Sequence, residues 1–130
     1  MPLEKVEEEE MTDSILTTIK LKLGIVEEDD SFDETILTDI NSAFMILEQL
    51  GVGPAGGFMI EDSMATWNEF LPEGKQLELV KTYMYLKVRL MFDPPASSTI
   101  LDSFQRQINE FEWRLNVAVD PAHEEEIQNG

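Results

Sequence analysis

The side chains most able to do chemistry in this sequence are carboxylates. Glu27, Glu28, Asp29, Asp30, Asp33 and Glu34 crowd one short run, dense enough in oxygen ligands to invite a test for calcium. An EF-hand loop needs glycine at its sixth position and a bidentate Glu at its twelfth. From every acid in the run that spacing fails, so nothing stronger than weak surface cation binding is expected. Gly51, Val52, Gly53 and Pro54 do not make a phosphate loop either. Pro54 removes an amide donor, and no Lys-Ser or Lys-Thr pair follows. The single histidine, His123, stands among acids outside the apolar pattern, with no rigid neighbour to orient a proton transfer. Cysteine is absent, which removes disulfides, thiolate metal sites and cysteine nucleophiles and fits a reducing compartment. No catalytic group, cofactor cradle or metal site is expected, and the chain reads as a protein that is not an enzyme.

Charge bounds the partners. Nine Lys and Arg stand against 27 Asp and Glu, a formal net charge of -18. Gripping a duplex depends on cations that release counterions from phosphates, so ordinary DNA binding is disfavoured. Basic partners are allowed, and so is a DNA that passes close by without sticking. With 130 residues and 42% apolar content the chain is expected to fold as one soluble domain with its own core. No apolar run reaches the roughly 20 residues of a membrane span. The acidic start, Met1 to Glu10, is unlike a signal peptide.

The elements that must position these residues are helices. Asp13 is placed to cap a first helix to about Leu23, with Ile15, Leu16, Ile19 and Leu23 as its stripe and Gly24 as its stop. Ser31 and Glu34 have the spacing of a capping box, followed by Phe32, Ile36, Ile40, Ala43, Leu47 and Leu50 at helical period up to Gly51. A third helix, Lys75 to Phe92, is apolar nearly all round, so it is expected at the centre of the fold. Its cations Lys81, Lys87 and Arg89 either lay their stems along the surface with heads paired to acids, or meet acidic faces of neighbouring copies. Asp93, Pro94 and Pro95 end it sharply. Ser97, Ser98 and Thr99 offer caps for a fourth helix, Thr99 and Asp102 having the spacing of a capping box, and its Leu101, Phe104, Ile108, Phe111 and Leu115 alternate steps of three and four.

Between Gly51 and Gly74 no period holds. Phe58 to Ile60 has the makings of a short strand, and Ala65 to Leu71 of a strand or a helical turn. The segment is either a binding loop or a loop pinned by Phe58, Trp67 and Phe70. The expected fold is therefore all-α. It is a compact bundle of about four helices with a long central loop, room in it for a β-hairpin, and extended acidic termini. Residues 1–11 form an acidic extension, 12–119 the helical domain and 120–130 an acidic tail.

Two stretches, INSAFMILEQLGVGP from Ile40 to Pro54 and YLKVRLMFDPPASSTILDSFQRQINEFEWRLN from Tyr85 to Asn116, carry a family likeness. A Tyr-Leu-Lys helix, an Asp-Pro-Pro break, a capped second helix and a Glu-Trp-Arg-Leu-Asn ending resemble head–tail connector proteins of tailed bacteriophages, across roughly residues 12–119. The resemblance implies a ring of copies, a dodecamer, below the portal of the virion. Such a ring extends the DNA channel and offers a platform to the next neck or tail protein, after assembly in the host cytoplasm.

It also implies that the C-terminal segment reaches the portal, here Val117, Ala118, Val119, Asp120, Pro121, Ala122, His123, Glu124, Glu125, Glu126 and Ile127. Candidate channel-lining acids are Glu27, Glu28, Asp29 and Asp30, or Glu61 and Asp62. Candidate contacts between copies are Phe58, Ile60, Trp67, Phe70, Lys81, Lys87 and Arg89. Net charge alone also allows a DNA-mimic inhibitor of a DNA-processing enzyme. That reading needs carboxylates spaced like phosphates, whereas here they cluster.

Overall fold

Each apolar repeat of the sequence becomes a helix in the computed structural model of the protein, which describes residues 13–72 and 76–119. In chain order these are α1 (Ile15–Lys22), α2 (Asp33–Gln49), α3 (Trp67–Phe70), α4 (Gln76–Phe92) and α5 (Ser98–Val119). Among the described residues the architecture is an all-α bundle of five helices, one of them a single short turn. α4 is its axis: α2 packs on one side of it and α5 on another, while α1 leans on both α2 and α4. This placement follows from α4's apolar circumference, since a helix without a polar face must be covered on several sides. Val80, Tyr83, Met84, Leu86 and Val88 are buried along it.

The stripes of α1 and α2 meet at Ile15, Ile19, Ile36, Ile40, Phe44 and Leu47, all at most 1% exposed. Each such side chain removed from water contributes about 1.5–3 kcal/mol. That burial is what holds α1, because eight residues are too few for a helix to persist alone. From α5 only Ile108 and Leu115 are fully buried, and Phe104 and Phe111 pack against the core half-buried. A T-shaped pair, Phe32 on Phe92 with centroids 5.5 Å apart, fixes the start of α2 beside the end of α4.

The helix starts differ from the expected caps. Ser14, not Asp13, caps α1: its Oγ accepts from the Thr17 amide at 3.2 Å. The Ser31–Glu34 capping box does not form. α2 begins at Asp33 with Phe32 as its uncapped N-cap, because the Ser31 amide donates instead to Asp29 Oδ1 at 3.0 Å in a local turn. For α5 the cap is Ser97, one of the three hydroxyls offered there, whose Oγ accepts from the Ile100 amide at 3.4 Å; the Thr99–Asp102 box falls inside the helix.

The central loop contains no β-hairpin, and among the described residues no strand is present. A single antiparallel bridge, Ser14 to Thr66, is the sole β-type pairing described. The reason lies on α2. Asn41 Nδ2 donates to the Ile60 carbonyl at 2.9 Å and Asn41 Oδ1 accepts from the Ile60 amide at 2.8 Å. One side-chain amide thus takes the place of a partner strand. Ala65 to Leu71 resolves as the short α3, capped by the Thr66 hydroxyl. The acidic segments 1–11 and 120–130 lie outside the described residues, and nothing in the structure supports extended termini.

Candidate functional site

The loop from Gly51 to Thr66 is where the sequence left most open, and polar stitches fasten it to α1 and α2. The Ser14 hydroxyl that caps α1 also donates to the Ser63 carbonyl at 2.7 Å, and the Ile15 amide donates to Ala65 O at 3.0 Å. Trp67 Nε1 donates to Thr18 Oγ1 at 3.0 Å, and that hydroxyl donates in turn to the Ser14 carbonyl. Under the loop the rings of Phe44, Phe58 and Phe70 meet with centroids 4.7–5.2 Å apart. Gly53 lets the backbone cross this cluster. Its φ of +97° suits glycine, and a Cβ there would lie 2.9 Å from Phe70 Cζ.

These contacts place the candidate contact residues. Ile60, Trp67 and Phe70 are at most 3% exposed and belong to the chain's own core, and Phe58 is half-buried against it. Lys81 pairs with Glu78 at 3.6 Å and stands over the Trp67 ring, 5.9 Å from its centroid. Arg89 reaches Tyr85 Oη at 3.4 Å and the carboxylate of Asp93 at 3.9 Å. Lys87 is half-buried and takes part in none of the four ion pairs among the described residues. The free surface left by this set is small.

The two groups of candidate channel acids flank opposite ends of α1. Glu27 to Asp30 follow its C-terminus, where Lys20 donates to the Glu27 carbonyl at 3.0 Å. Glu61 and Asp62 precede Ser63, which is tied to its N-terminus. Asp29 is partly spent on structure: the hydroxyl and amide of Ser31, with a smaller contribution from Lys20, hold its carboxyl below the usual range. Asp62 Oδ1 likewise accepts from the Met64 amide at 2.8 Å. Glu28, Asp30 and Glu61 are exposed. Of the candidate portal-binding segment, Val117 is half-buried, Ala118 is exposed and Val119 ends α5; Asp120 to Ile127 lie outside the described residues.

Four residues carry weight that the sequence did not advertise. Lys20, 2% exposed, lies 2.9 Å from Asp33 Oδ1 as an ion pair. The contact is not aligned as a hydrogen bond, and Asp33 Oδ1 has no other partner. The sequence signal was a lysine one position after Ile19, on the apolar stripe itself. Asn41 stood in plain view one residue after Ile40. Tyr83 Oη donates to Glu112 Oε2 at 2.7 Å and ties α4 to α5. Burial first, and then the Glu112 carboxylate, push the Tyr83 hydroxyl far above its ordinary value. Trp113 projects from α5 with 54% of its surface in solvent.

The described surface mixes apolar and acidic groups. It presents exposed methionines, an exposed tryptophan and acids, and among the described residues no group of three or more His, Cys, Asp or Glu is placed to hold a metal. None of the described helices is long and apolar enough to cross a membrane. The family model described as phage connector protein matches residues 15–122, from the first residue of α1 past the end of α5. Among curated proteins and solved structures none matches the chain.

Proposed function

This chain belongs to the phage connector protein family, and on that premise we propose that it is a structural head–tail connector that acts by assembly and not by catalysis. Copies form a ring, a dodecamer by family resemblance, below the portal. The ring extends the DNA channel at the head–tail junction and carries the docking platform for the next neck or tail protein. The observation that carries this reading is the family match across the whole helical bundle.

Surface chemistry supports it. A closed ring needs two different faces on each copy, and a net charge of -18 lets a duplex pass without being gripped. The C-terminal segment from Val117 onward, continuing the long α5, is the part we assign to the portal. The DNA-mimic alternative is less well supported, because the acids that bracket α1 sit in two separate turns instead of one phosphate-like row.

The test is electron microscopy of the purified chain mixed with portal-bearing heads. A ring below the portal is expected, and failure to bind portal would overturn the reading. For the channel, Glu28→Lys with Asp30→Lys is the better reversal, since Asp29 holds its own turn. If these acids line the lumen, DNA release slows; unchanged ejection kinetics remove them from the wall.

A further inference from the structure

Charge is divided along this chain in a way its total conceals. Residues 23–74 hold 12 Asp and Glu and no Lys or Arg, whereas residues 75–119 hold six Lys and Arg against five acids. The first stretch builds α2 and the central loop, and the second builds the α4–α5 hairpin. Each half also exposes apolar surface.

On the anionic half, Met59 is 69% exposed between half-buried Phe58 and buried Ile60, as alternation in an extended segment dictates. Asn41 holds this segment against α2, and Met45, one turn further along the same side of α2, is 57% exposed. Glu48 borders the same segment: a Cβ on Gly57 would meet its Oε2 at 2.8 Å. Glu61 and Asp62 follow directly, and Met64 beyond them is 79% exposed. This is an adaptable thioether surface with an acidic rim.

On the other half, α5 packs on α4 and turns its far side outward. Arg106 and Trp113, seven residues apart, stand two turns apart on one face. Trp113 is 54% exposed, and Arg106 is exposed and joins none of the described ion pairs. Glu110, near them, is already neutralised by Arg114 at 2.7 Å. Tryptophan and arginine are the residues that most often anchor interfaces when they stand free.

We propose that the Arg106–Trp113 ridge of one copy docks on the Met45–Met59 face of a second copy, with Glu48, Glu61 and Asp62 receiving the guanidinium. The occupant is another copy because the charge of each face answers the other. Indole against methionine sulfur adds a contact that suits both. The two faces differ, so the contact is heterologous and can repeat from copy to copy. The inference deepens the ring reading and rests on it for the number of copies.

Because the chain has no cysteine, single introduced cysteines report contacts without background. Met59→Cys and Asn109→Cys chains are mixed under mild oxidation, Asn109 lying between Arg106 and Trp113 on the exposed side of α5. Met91→Cys, 42% exposed in the last turn of α4, serves as the control. The mixed Met59→Cys/Asn109→Cys disulfide is expected several-fold above either homodimer and above any pair with the control. Adding Trp113→Ala and Arg106→Glu to the Asn109→Cys chain brings it down to the control level. Mixed yield no higher than the control overturns the proposal, as does insensitivity to the second set of changes. Rings on portal without this cross-link sink the proposed faces and leave the connector reading standing. The cross-link without rings does the reverse.

Discussion

The two halves of this bundle are held together by different physics. The α4–α5 hairpin is assembled from a periodic apolar seam, and its main polar tie is Tyr83 to Glu112. The half made by α1, α2 and the central loop has its own apolar stripe. Yet the loop's course is set by single polar side chains that bond to distant backbone: Ser14 to Ser63 and Asn41 to Ile60. A seam tolerates a swap between apolar side chains of similar volume, because burial is kept. A stitch tolerates no such swap, because losing its side chain leaves the backbone groups it bonds unpaired. The half expected to be more sensitive is thus the one with less regular structure.

Breaking that contrast begins at Asn41. Asn41→Ala leaves both the amide and the carbonyl of Ile60 without partners, and a loss of about 3 kcal/mol in chemical denaturation is expected. Amide exchange should quicken around Ile60 while α5 stays protected. Equal loosening of both halves would erase the distinction. Next is Lys20→Met, which keeps the stem but strands the Asp33 carboxylate. Asp33 keeps some solvent access, so the expected cost is about 2 kcal/mol, below that of a fully buried pair.

Tyr83→Phe, in the hairpin, should cost only about 1 kcal/mol. It carries a pH signature as well. The folded hydroxyl titrates above its unfolded value near 10.0, so the fold retains a proton that the unfolded chain releases. Stability is therefore fully present below pH 10 and falls as pH rises beyond it. Denaturation followed from pH 9 to 11 should show wild type losing ground to Tyr83→Phe; parallel curves would refute the assignment.

The smallest effect is a gain. Asp39 on α2 has a buried Oδ2 without a partner, and burial raises its pKa. A raised carboxyl favours the fold only while protonated, so above its unfolded pKa the group is a burden. Asp39→Asn should stabilise by about 0.5–1 kcal/mol at pH 7, since half-exposure softens the penalty of an unpaired carboxylate. The gain should vanish near pH 3.

This division also explains what could be read from the chain. Helices were legible because burial on one side imposes a period: α2, α4 and α5 lie where Ile36 to Leu47, Leu77 to Phe92 and Leu101 to Leu115 place them. Caps were read less well, since Ser, Thr and Asp within two residues of each other compete for one amide. Asp13 lost to Ser14, and Thr99 to Ser97, for that reason. The loop was not legible, because its fasteners pair residues far apart in sequence, such as Thr18 with Trp67. The same gap left Trp67 and Phe70 open between contacts with other copies and pins of the loop, and the fold buries both in its core. Trp113 sat inside a recognised motif, and only the placement of α4 showed which side of α5 is bare.

Asn41 has one more consequence. An extended segment normally presents a row of open donors and acceptors, and such an edge recruits other chains indiscriminately. At Ile60 both groups are already occupied by a helix side chain. An approaching chain therefore finds no open backbone group at Ile60 on which to template a sheet.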